Sequence, residues 1–92
     1  MILNIRHKGL RRFYETGDTR GIQPNWQRKL RLILLRLEVS QEPNDMNIAG
    51  FNMHSLHGNM NGFYAVSVTG NWRVVYRFEL SNITDVDLLD YH

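Results

Sequence analysis

The sequence predicts an α+β fold, with two N-terminal helices packed on an antiparallel β-sheet meander. Three observations carry this reading. Apolar residues in the first forty or so positions recur at helical spacing. After position 62 they alternate at strand spacing. Gly70-Asn71 and Ser81-Asn82 then punctuate the alternating runs as turns should. The chain has 92 residues, a length that suits one domain with one core, and residues 1–92 are read as a single unit.

Residues 1–5 read as a short strand. Residues 7–15 read as a helix, because Leu10, Phe13 and Tyr14 follow i, i+3, i+4 spacing and Gly17 stops it. Pro24 and Asn25 open a longer helix that runs to about Val39. Its core face is Trp26, Leu30, Ile33, Leu34 and Leu37, all within about 100° at helical pitch. Leu32 and Leu35 point to the far side. They are expected to pack on the first helix, with a partner surface as the alternative.

Residues 40–61 carry Pro43, Gly50, Gly58 and many Asn, and read as a loop with a short turn near Met53. In residues 63–69, Tyr64, Val66 and Val68 share one face. In residues 72–78, Trp72, Val74, Tyr76 and Phe78 share one face and Arg73, Val75 and Arg77 the other. A third strand spans residues 84–89.

Composition narrows the function. No cysteine is present, which excludes disulfides and thiolate chemistry and fits a reducing compartment. No leader and no apolar run of about 20 residues stands in the chain, so a cytoplasmic protein without membrane contact is expected. The net charge of +2 hides a split. Residues 1–36 hold nine Lys and Arg against two acids, a net of +7, while residues 37–92 hold two Arg against seven acids, a net of −5. A basic half suits a polyanion or an acidic protein partner, although solvated helix faces look the same.

Candidate chemistry rests on His54, His57, Arg73, Asp90, Tyr91 and His92. A meander can bring the loop, the hairpin strand and the tail together at one end of the sheet. Cleaving RNA through its own 2′-hydroxyl needs a base, a cation for the developing phosphate charge, and an acid for the leaving oxygen. Imidazole titrates near neutrality and suits both proton transfers. Arg presents a fork of donors that matches phosphate. Asp90 and the α-carboxylate beside His92 would favour the protonated ring. His54 and His57 alone are too few ligands for zinc, and no Glu shares a helical frame with them, so no metal and no cofactor is expected.

Several segments resemble one known family. His54-Ser55-Leu56-His57-Gly58 is similar to its His-Pro-Leu-Lys-Gly loop, and residues 62–69 to its following strand. Asn71-Trp72-Arg73-Val74 is similar to its Asn-Trp-Arg-Ile element, Asp90-Tyr91-His92 to its terminal tripeptide, and Arg6-His7-Lys8-Gly9-Leu10 to its opening. On these motifs the chain resembles HigB-type toxins of type II toxin–antitoxin pairs, in the RelE/ParE superfamily.

The resemblance implies a small RelE-like, microbial-ribonuclease-like domain. It implies metal-independent cleavage of messenger RNA in the A site of the 70S ribosome, which inhibits translation. It also implies a HigA-type helix-turn-helix antitoxin, with operator DNA reached only through that partner. Carried over by position, Arg73 stabilises phosphate charge, His92 transfers a proton or binds phosphate, His54 supports either task, and Tyr91 stacks on or orients a base. The basic helices fit ribosomal RNA, with Lys8, Arg11, Arg12, Arg28 and Arg31 as expected contacts. One position departs from the pattern: His57 stands where the family often has Lys, a permanent cation at neutral pH. The superfamily's gyrase-inhibiting branch, which cleaves nothing, and an inactive antitoxin-binding module are the competing readings. The terminal Asp-Tyr-His argues against the gyrase branch.

Overall fold

A computed structural model describes residues 1–90. Tyr91 and His92 lie outside the described residues, and so do the roles expected of them. The elements are helix α1 (Lys8–Thr16), helix α2 (Gln27–Val39), and strands β1 (His54–Ser55), β2 (Phe63–Thr69), β3 (Trp72–Glu79) and β4 (Asn82–Asp90). The strands form one antiparallel sheet in the order β1-β2-β3-β4.

Local chemistry sets the helix limits. His7 caps α1: its Nδ1 accepts from the Leu10 amide at 3.0 Å. Gly17 ends α1 at φ 78, a conformation that glycine adopts without strain. Gly9 has a different reason. A Cβ there would stand 3.1 Å from the Gly21 carbonyl oxygen, so a side-chain-free residue lets the following loop approach the helix. The Arg6-to-Leu10 motif therefore reads in physical terms as a cap followed by a close backbone approach. Pro24 starts a single 3-10 turn that leads into α2.

The core lies between the helices and one sheet face. The predicted stripe of α2 is buried in full: Trp26, Leu30, Ile33, Leu34 and Leu37 meet Val66, Val68, Val74 and Tyr76. The Trp26 and Trp72 rings, 4.9 Å apart, tie the start of α2 to the start of β3. In α1, Leu10 and Phe13 are buried, whereas Tyr14 is at the surface and donates to Glu38 of α2. That hydrogen bond, more than its neighbouring charges, pushes the Tyr14 phenol up to about 12.

The structure differs from the sequence reading in four places. Leu32 and Leu35 do not pack on α1; they are 53% and 63% exposed. Residues 1–5 make only two isolated bridges, Ile2 to Ile83 and Ile5 to Val86, and these run parallel to β4 at the sheet edge. Residues 40–61 are not one loop. They hold 3-10 turns at Pro43–Met46 and Gly58–Met60 and the extra strand β1, anchored by buried Met46, Phe51 and Leu56. Their apolar anchors are too widely spaced to show a period. The second turn falls at Leu80-Ser81, with Asn82 already paired to Glu79. Beyond these differences, the sheet face carrying Arg73 has apolar packing of its own. Leu56, Ala65 and Val75 form a second small cluster there, joined by Met60, Phe63 and Leu89.

Candidate functional site

The meander brings three of the sequence candidates to one end of the sheet. That end holds the start of β1, the β2–β3 hairpin and the end of β4. Gly70 supplies the turn at φ 53, and Thr69 pairs with Trp72 across it. Directly paired residues share a face, so the register assigns sides. His54 pairs with Ala65, Ala65 with Val75, and Val75 with Asp87, all in one row. Ser67, Arg73 and Leu89 form the next row toward the hairpin. His54 and Arg73 therefore lie on one face, two strands apart and two residues offset. Their Cα atoms are separated by about 12 Å on standard sheet spacings. The helices pack on the other face.

His54 is exposed, and its Nδ1 donates to the Asn52 carbonyl at 3.1 Å. In the neutral ring this bond leaves Nε2 as the acceptor nitrogen, the one suited to proton transfer. Asn52 itself sits at φ 51, so the chain bends sharply just before β1. Arg73 is half-buried. Its Nη1 donates to the carbonyls of Gly70 at 2.7 Å and Trp72 at 3.1 Å. Neutral carbonyls orient the guanidinium without cancelling its charge. Its Nε is buried and has no hydrogen-bond partner among the described residues.

The other candidates lie differently. Asp90 is exposed at the same end but pairs with Trp72, which puts it on the helix side of the sheet. His57 is exposed, just beyond the Leu56 amide bonded to the Phe63 carbonyl. It stands roughly 17 Å from the Arg73 row along the strand axis. The register thus brings His54 and Arg73 together and sets His57 apart. Arg77 is drawn into a structural pair, with its Nε 2.6 Å from Asp85. Lys8, Arg11, Arg12, Arg28 and Arg31 are all exposed on the helical half; Arg31 lies over the Phe13 ring, 5.5 Å from its centroid.

Two polar residues that the sequence reading did not single out share the face of His54 and Arg73: Ser67 beside Arg73 and Asp87 beside Val75. Ser67 follows from strand alternation. Asp87 does not, because a bulge opposite Tyr76 reverses the parity of β4. Among the described residues no group of three or more His, Asp or Glu gathers as a metal-binding set.

The family model described as the RelE-like toxin of type II toxin-antitoxin system HigB matches residues 3–92. The chain belongs to the HigB-like toxin family. It is also similar to the curated Endoribonuclease HigB of Proteus vulgaris, with 27% identity over 92 residues and 100% of each chain covered. Among solved structures it is similar to a chain of the YoeB-YefM complex from Staphylococcus aureus. The TM-score is 0.62 at 19% identity, covering 98% of this chain and 97% of that one. A YoeB dimer from the same organism gives a TM-score of 0.60 at 18% identity over the same shares. At such identities the structural likeness speaks to the fold: this HigB-like chain shares the YoeB architecture. Its own His54 and Arg73 take their places from the β1–β2–β3 register.

Proposed function

We propose that this HigB-like toxin is a metal-independent endoribonuclease that cuts messenger RNA in the ribosomal A site and is neutralised by a HigA-type antitoxin. The observation that carries this reading is the shared placement of His54 and Arg73 on the solvent face of the hairpin end. The full-length similarity to an endoribonuclease supports it.

In this reaction the 2′-oxygen of RNA bonds to phosphorus and the bond from phosphorus to the 5′-oxygen breaks. A cyclic 2′,3′-phosphate and a 5′-hydroxyl result. One imidazole takes the 2′-proton and another acid returns a proton to the 5′-oxygen. Arg73 meets the charge that grows on the non-bridging oxygens. Its turn carbonyls hold the guanidinium in advance, so little reorganisation is needed. His54, through Nε2, and His92 are the proton-transfer candidates, Tyr91 is the base-stacking candidate, and Asp90 supports the tail electrostatically. Lys8, Arg11, Arg12, Arg28 and Arg31 supply a basic surface for ribosomal RNA, whose grip weakens as salt rises.

The test is to add purified protein to a translating extract and map messenger RNA 5′ ends by primer extension, with free RNA and an EDTA arm alongside. New ends within coding sequence, absent on free RNA and unaffected by EDTA, are expected. Arg73→Ala and His92→Ala are each expected to lower cleavage about 100-fold or more, the scale of removing one charge-stabilising or proton-transfer group. Unchanged cleavage in the double variant sinks the assignment. Intact RNA with a DNA-damage response points instead to gyrase. His57→Lys, far from the Arg73 row, is expected to leave cleavage intact or raise it; a large loss would show that the imidazole itself is required there.

A further inference from the structure

We propose that the outer ridge of α2 is the docking surface for an acidic amphipathic helix of the antitoxin, an inference that rests on the antitoxin pairing proposed above. Leu32, Leu35 and Val39 are 53%, 63% and 67% exposed. With Arg28 they fall within about 60° around the helix at 100° per residue. Three large aliphatic side chains in one exposed stripe form a contiguous apolar patch rather than scattered surface residues.

The relief beside the stripe suits a helix. On the Leu35 side a hollow of about 310 Å³ opens between α1 and α2, floored by Phe13 and Leu34. On the Leu32 side a second hollow of about 460 Å³ opens against Phe51 and Ala49. A ridge between two grooves is the relief into which the side-chain rows of another helix interdigitate.

Charge selects the occupant. Arg28 and Lys29 border one hollow; Arg31 borders the other, where the Glu38 carboxylate is already engaged by the Tyr14 hydroxyl and the Met1 amino group. The contacts shown for Arg31 and Lys29 leave their charges uncancelled, whereas Arg36 also stands close enough to the Asp45 carboxylate to help lower its pKa. Arg31 lies over the Phe13 ring, Lys29 donates to the Gly50 carbonyl at 2.8 Å and Arg36 to the Asp45 carbonyl at 3.3 Å. Arg28 has no partner among the described residues. An apolar stripe framed by cations calls for an apolar stripe framed by carboxylates. A second copy of this chain is a poor fit, since a two-fold interface here would set the same arginines against one another. The aliphatic ridge itself gives bases no aromatic face to stack on, so the ribosomal RNA contacts proposed for Arg28 and Arg31 do not account for Leu32, Leu35 and Val39. The ridge lies on the helix side of the sheet and the His54–Arg73 face on the other, so a ridge substitution leaves the cleavage face itself untouched.

The experiment titrates the full-length chain with the purified protein encoded beside it, by calorimetry. The variants are Leu32→Asp, Leu35→Asp and Leu35→Lys, with circular dichroism confirming folding, which these exposed positions should tolerate. Each Asp variant is expected to weaken Kd at least tenfold, while cleavage falls by much less than that, because the Arg28 and Arg31 side chains proposed to meet ribosomal RNA are kept. Leu35→Lys is expected to weaken it less, because an added cation suits an acidic partner. Binding should also weaken as NaCl is raised. Binding within twofold of wild type in a Leu32→Asp/Leu35→Asp double variant overturns the docking surface while leaving the antitoxin pairing intact. Lys proving worse than Asp overturns the acidic character of the partner. A self-association that Leu35→Asp abolishes, with antitoxin binding untouched, assigns the ridge to a second copy and overturns the proposal. Loss of cleavage with antitoxin binding retained assigns it to RNA, with the same consequence. No binding by the wild-type chain removes the antitoxin pairing itself, and the docking surface with it.

Discussion

Tyr76 is the largest fully buried side chain, and its hydroxyl has no hydrogen-bond partner among the described residues. Burial accordingly drives its phenol far up from its ordinary value. Its ring does useful packing, stacked 6.1 Å from Tyr64 and edge-on to Phe78. An unsatisfied buried hydroxyl opposes folding by about 1–3 kcal/mol. Tyr76→Phe keeps the ring and removes the burden, so urea denaturation should show a stability gain of about 1 kcal/mol with the m-value unchanged. The aromatic alternation of β3 was legible in the sequence; the solitude of this hydroxyl was not. It depends on which polar groups the helices bring over the ring, and the contacts shown there are apolar.

Strand β4 shows how one element can mislead a reading by period. Ile83, Val86 and Leu88 all reach the core, although Ile83 and Val86 are an odd number of residues apart. A bulge reconciles them: Val75 pairs with Asp87 but Arg77 with Thr84, leaving Asp85 and Val86 opposite Tyr76 alone. Asp85 takes φ 54 there, and Arg77, Arg6 and Asn4 hold it in that strained conformation. The bulge decides that Leu89 lies on the face of Arg73 and Asp90 on the face of Trp72. The β3–β4 turn has a similar feature without the support. Leu80 sits at φ 58 and is 93% exposed. Asn tolerates the left-handed region far better than Leu. Leu80→Asn should therefore stabilise the protein by about 1 kcal/mol, and calorimetry should show Tm rising by roughly 4–8 °C for a domain of this size.

For the molecule as a whole, a few well-placed carboxylates tie segments together. Asp85 joins β4 to Arg77 of β3 and to Arg6 before α1. Asp45 accepts the amides of Gln41 and Glu42 as a cap. Arg77 beside Asp85, and the two amides at Asp45, hold both carboxyls below the usual carboxylate range. The Arg20 guanidinium brings half-buried Asp18 to about 2. A depressed folded value means stability that is fully present above the unfolded value and lost as pH falls through the folded one. Urea midpoints should accordingly stay level from pH 7 to about 5 and decline between about pH 4.5 and 2. In Asp85→Asn the decline should be shallower; an unchanged slope would mean that Asp85 carries no share of it.

Two helices with their buried stripes, the Gly70 hairpin and the alternating faces of β2 and β3 follow from residue spacing alone, because each is dictated by neighbours within a few positions. The naming of His54 and Arg73 as candidates comes from their side-chain chemistry and from the resemblance to HigB-type toxins. Their meeting on one face depends on the β1–β2–β3 register and on a two-residue strand that no period announces. The same holds for the exposure of Leu32 and Leu35, for the bulge at Asp85 and for the distance of His57 from Arg73. Those features arise from contacts between residues far apart in the chain. Which groups meet there is settled only when the whole core has closed, because burial of one shared apolar interior, not local preference, then chooses the register.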